Sequence, residues 1–186
     1  VSFQVKNITS QKASLKQLAM MANRSMKQPS VVYAARKIVN DCPDRNDECE
    51  LEAIFQAIKH GNSAVKGLSR GVRYVSDPVN TDFFSAPHKI LEHCAKGACG
   101  GDCDEHAALC ASLAGAIGFE VGIRAWGPGR EGGFEHVYAI VKTPKHSGKR
   151  DFEWLALDTT TRNLVGGPHD LGWEPPGGHY MDARLE

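Results

Sequence analysis

Several features are scarce in this chain of 186 residues. It has no surplus of either charge, since 22 Lys and Arg balance 22 Asp and Glu. A neutral total supplies no long-range attraction to nucleic acid or to an anionic membrane, so neither is expected as a partner. Long apolar runs are also missing. The longest nearly apolar stretch, residues 107–117, contains Ser112 and Gly115 and is too short to span a bilayer. No basic start followed by an apolar run opens the chain, so no signal peptide is legible in it. The chain does not begin with Met, which leaves a cleaved leader open. Six cysteines are too sparse for a disulfide scaffold, and the expected setting is reduced and cytoplasmic. No internal repeat is present.

What remains is ordinary for a globular protein: 41% hydrophobic and 24% charged residues, enough for one domain over 1–186. Residues 9–66 read as helices. Leu15, Leu18, Ala19, Ala22 and Met26 recur at helical spacing. Pro29 interrupts, with Ser30 as cap of a second helix through Val31, Ala34, Ala35 and Ile38. Asp47 with Glu50 reads as a capping box for a third helix bearing Leu51, Ile54, Phe55 and Ile58. From Gly71 the texture changes. A short extended piece ends at Pro78, and Pro87 opens a short helix. A glycine-rich loop over 97–103 feeds a helix of small residues over 107–116. Strands follow over 121–126, 136–141 and 154–158. The tail after Asn163, rich in Gly, Pro and His, receives no regular structure. The fold class expected is α+β.

Three residues carry candidate chemistry. Cys103 follows Gly100, Gly101 and Asp102 and opens a helix, where the dipole and unpaired N–H groups would lower a thiol pKa. Its own N–H is placed to meet a developing oxyanion. His136 opens an apolar strand, and Asp158 ends another. Alone, each has a bland explanation: a core thiol, a core imidazole bonded to backbone, and a carboxylate capping the turn at Thr159 and Thr160. Together, in the order Cys, His, Asp, they fit a nucleophile, a base and the group that orients it.

Gly101-Asp-Cys-Asp-Glu105, Glu135-His-Val-Tyr138 and Leu157-Asp-Thr-Thr160 resemble the three core motifs of the transglutaminase-like superfamily of papain-type cysteine enzymes. The match is nearest its small bacterial and phage-associated members. The resemblance covers residues 70–162 and implies Cys103 as nucleophile, His136 as general base and acid, and Asp158 as the residue orienting His136. It implies a nucleophile helix packed on an antiparallel sheet, with a protein or peptide substrate and no cofactor or metal. A virion-associated location is the alternative to the cytoplasm. Calcium-binding acidic loops of the kind used by the animal crosslinking enzymes are not evident, and hydrolysis of a peptide or isopeptide bond is favoured by the small size and the lack of any extra binding domain. Acyl transfer to an amine is the alternative within the same chemistry, and an inactive structural or interaction module is the alternative outside it.

Other residues have lesser roles. Cys110, seven positions after Cys103, reads as a core residue beneath it. Cys42, Cys49, Cys94 and Cys99 have spacings too wide for an ordinary zinc site, and some pair of them could form a disulfide. Asp102 and Asp104 are expected to cap the helix and turn outward. The segment 127–133, with four glycines and Arg130, reads as a flexible connector beside the site, ordering over a bound acyl group with Arg130 helping to select substrate.

Overall fold

The computed structural model describes residues 2–3, 8–77, 82–129, 133–144, 153–160 and 171–185. A two-residue strand, β1 (Ser2–Phe3), precedes three helices: α1 (Ile8–Met26), α2 (Pro29–Ile38) and α3 (Asp47–Lys59). Leu15, Leu18, Ala19 and Ala22 of α1 are buried as one stripe. In α2, Gln28 occupies the cap position and Pro29 the first turn, so Ser30 is not the cap. The fixed φ and missing N–H of proline suit that first position. In α3 the cap is Asn46, whose side chain accepts from the Cys49 N–H at 3.0 Å; the cap lies one residue before Asp47, which puts Cys49 rather than Glu50 at the position that would complete a box.

Short elements then build the approach to Cys103: β2 (Arg73–Tyr74), β3 (Asp82–Phe83), α4 (Pro87–Ala95) and β4 (Gly100–Gly101). β1 pairs antiparallel with β3, and β2 pairs parallel with β4. After α5 (Cys103–Ala116) come β5 (Val121–Gly127), β6 (His136–Thr143), β7 (Glu153–Leu157) and β8 (His179–Arg184). The last four form an antiparallel sheet in the order β7-β6-β5-β8. The fold is therefore α+β. β8 corrects the expectation for the tail. Its apolar Met181 and Ala183, with Leu185 beyond, alternate with exposed Tyr180, Asp182 and Arg184, which is the pattern of a half-buried strand.

Residues 105–114 of α5 are all buried, as suits a helix that is apolar all round and central to its domain. α1 packs on it from one side and β6 from another. Its small residues permit the close approach. Leu18, Ile54, Leu109 and Val141 belong to one continuous core, so the helices of 9–66 are not an appendage to 70–162. Each such side chain contributes about 1.5–3 kcal/mol by burial. Among the described residues, no helix is long and apolar enough to cross a membrane.

The expectation of reduced cysteines is overturned. Cys42 pairs with Cys49 and Cys94 with Cys99, in disulfides closing loops of seven and five positions. The first joins the loop after α2 to the opening turn of α3. The second closes the reversal after α4, where Gly97 adopts φ +89°. These bonds also remove the four-cysteine zinc alternative.

Candidate active site

The capping box that failed at α3 is formed at α5. The Asp102 carboxylate accepts from the Asp104 N–H at 2.9 Å, and Glu105 reaches back to the Asp102 N–H at 3.1 Å. Glu105 is buried, and its other oxygen accepts from the Ser85 N–H at 2.7 Å. Gly101 has to be glycine here, because a Cβ would come within 2.5 Å of Glu105 Cβ. The box occupies the N–H groups of Asp102 and Asp104. The Cys103 N–H between them has no acceptor among the described residues.

His136 reaches the site through strand register. Leu157 on β7 pairs with Ala139 on β6, which carries Asp158 just past the last pair and diagonal to His136. His136 Nε2 lies 2.6 Å from Asp158 Oδ2, with both side chains almost completely buried. The other carboxylate oxygen accepts from the Thr160 N–H and hydroxyl, each at 3.0 Å. Asp158 thus caps its turn and holds the imidazole at once. Burial alone would raise its pKa, but the His136 bond and charge together with Thr160 outweigh burial and keep it below the usual carboxylate value. An ionised carboxylate on Nε2 places the ring proton there and leaves Nδ1 as a bare acceptor. That Nδ1 is buried and has no partner among the described residues.

Cys103 and His136 line one cavity of about 190 Å³, and the sulfur faces the Val137 N–H next to His136 in the chain. A direct thiol–imidazole hydrogen bond, expected at roughly 3–4 Å, is not formed at rest, since Nδ1 has no partner among the described residues. The thiol pKa departs further from expectation. Burial pushes it well above its ordinary range, and the Asp104 and Asp102 carboxylates push it the same way, while the Val137 N–H opposes them. Exclusion of water and two flanking anions outweigh the helix terminus. Asp102 does not turn outward. It is half-buried, with its pKa raised to about 7 by burial and by the Glu105 carboxylate. Cys110 is fully buried, as anticipated, with its thiol pushed up to about 12 by burial.

The donor atoms of Asp102, Cys103 and Asp104 lie within 4.8 Å of one another. Asp102 is engaged in the helix cap, so this set does not by itself build a metal site.

α1 supplies a wall that sequence reasoning missed. Gln11, Ser14, Leu15 and Leu18 line the cavity. The Gln11 amide donates to the Phe134 carbonyl at 3.0 Å and accepts from the Phe134 N–H at 3.1 Å, bracing the chain two residues before His136. The available signal was the helical spacing that puts Gln11 and Ser14 on the same face as Leu15 and Leu18. Arg130 lies outside the described residues, as does the centre of the 127–133 connector.

The chain matches no protein-family model, no curated protein and no solved structure.

Proposed function

We propose that this protein is a cysteine-dependent amide-bond enzyme of the transglutaminase-like, papain-type kind, acting as a peptide or isopeptide hydrolase. The observation that carries the reading is the buried His136–Asp158 pair, whose unpartnered Nδ1 belongs to the cavity that also holds Cys103. The sulfur rests as a neutral thiol, so His136 Nδ1 takes its proton as Sγ attacks the amide carbonyl. The Cys103 N–H stabilises the resulting oxyanion. Protonated His136 then gives its proton to the departing amine, and the C–N bond breaks to leave a thioester on Cys103. Water, deprotonated by His136, attacks the thioester. The acid leaves and the thiol recovers its proton. The cavity admits about one side chain, so most of the substrate lies outside it. The two disulfides suit an oxidising setting, or a particle outside the cell, better than the reducing cytoplasm.

p-Nitrophenyl acetate tests this directly. Native protein should give a burst of nitrophenol and an acetyl group mapped to Cys103 by mass spectrometry. Cys103→Ala should abolish the burst, and His136→Ala should slow it by about 10²–10⁴-fold. A burst unchanged in either variant, or an adduct on Cys110, would overturn the assignment.

A further inference from the structure

A second histidine sits on α5, one turn beyond Cys103, and the steps above do not use it. His106 is 3% exposed. Its Nδ1 lies 2.8 Å from Thr159 Oγ1, and its Nε2 is buried with no partner among the described residues. Leaving such a group unmatched costs roughly 1–3 kcal/mol unless something meets it. His106 and Thr159 line a groove of about 1040 Å³, five times the volume of the cavity at Cys103.

The rest of that groove is basic. Lys59, His60, Lys66, Arg70 and Arg73 line it, and among the described residues no acidic one does. In a chain with no net charge, this is a local segregation of cations. Among the described residues, no carboxylate lies within ion-pair distance of Lys66, Arg70 or Arg73. Cations left unpaired around a concave surface raise the local concentration of anions. The groove is tied to the segment that precedes the thiol. Arg73 and Tyr74 line it, and β2 pairs them with Gly100 and Gly101, just before Cys103.

We propose that this groove binds an acidic peptide segment, whose carboxylates meet Lys66, Arg70 and Arg73 while an oxygen acceptor reaches His106. A peptide is favoured over a nucleic acid because the strand that lines the groove is paired with the residues just before Cys103, a thiol suited to an amide carbonyl; in this respect the inference rests on the enzymatic reading of Cys103. Such an acceptor selects the tautomer in which Nε2 carries the ring proton and Nδ1 accepts from the Thr159 hydroxyl.

Binding is measured with Cys103→Ala protein, so that no chemistry intervenes. Fluorescein-labelled hexaglutamate, hexaglutamine and hexalysine peptides and a single-stranded hexathymidylate are titrated and followed by anisotropy. Hexaglutamate should bind, weaken as salt rises, and lose about tenfold or more in affinity in Arg70→Glu/Arg73→Glu, two exposed positions whose exchange spares the core. Hexaglutamine and hexalysine should bind far more weakly. Equal binding of hexaglutamate and hexaglutamine, or an affinity untouched by the double reversal, overturns the proposal. Tighter binding of the oligonucleotide at matched charge overturns the peptide assignment. The two readings fail separately. Hexaglutamate binding without acylation of Cys103 would sink the enzyme and keep the groove, whereas acylation without hexaglutamate binding would do the reverse.

Discussion

His106 illustrates how burial turns an ordinary side chain into a pH-sensitive one. Burial lowers its pKa from 6.5 to about 4, with the Asp158 charge opposing only in part. Above about pH 6.5 the ring is neutral in both folded and unfolded chains, so the full stability is present. As pH falls from about 6.5 through about 4, the unfolded chain takes up a proton that the folded one refuses. Stability therefore falls over that window, by about 3 kcal/mol for this one group. The denaturant midpoint of the wild type should drop between pH 6.5 and 4, and His106→Gln should flatten that drop. Parallel curves for the two proteins would show that burial does not hold the ring neutral. The importance of His106 could not be read at the residue scale. Its motif neighbour Cys103 drew the chemical argument, and a histidine inside a helix of small residues looks the same in sequence whether exposed or enclosed. The Cys103 pKa follows the same rule. A helix terminus is visible in sequence, but the exclusion of water around the sulfur is not.

At the scale of elements, helix ends and central strands were legible because their determinants are local. Pro87, Asp102 and the apolar runs of β5 and β6 each act within a few residues. β8 was missed, although Met181-Asp-Ala-Arg-Leu185 alternates correctly, because the glycines and prolines before it masked a strand that exists only by pairing with β5. Arg124 fastens that strand. Its guanidinium donates to both Asp182 oxygens at 2.7 and 2.9 Å and to Glu174 at 2.7 Å, and its side chain is only 17% exposed. Arg124→Leu should free the tail, costing about 2 kcal/mol. Amide exchange over residues 179–184 should then quicken while exchange in α5 stays slow. Exchange in β8 that remained as slow as in the wild type would assign its docking to backbone pairing and to Leu185 instead.

Across the whole molecule, the two disulfides and the burial of α5 decide which cysteines can react. Cys103 and Cys110 are the free thiols, and Cys110 is fully buried. Prolonged alkylation of the native, unreduced protein should add one group, on Cys103. Denaturation without reduction should expose two sites, and reduction all six cysteines. Additional adducts before reduction would refute the pairing. Loops this short contribute about 2 kcal/mol each by restricting the unfolded chain, so reduction should lower the melting temperature by several degrees. By itself the sequence determined an α+β chain, the helix opening at Cys103, the strands bearing His136 and Asp158, and the order of candidate chemistry. These depend on capping, periodicity and residue type, which act over a few positions. Only the tertiary structure decided that Cys42 meets Cys49 and Cys94 meets Cys99, that α1 walls the cavity, and that the cations of residues 59–73 gather around His106. Those outcomes follow from where distant segments pack, and packing sets the water exclusion and the neighbouring charges that govern a side chain's chemistry.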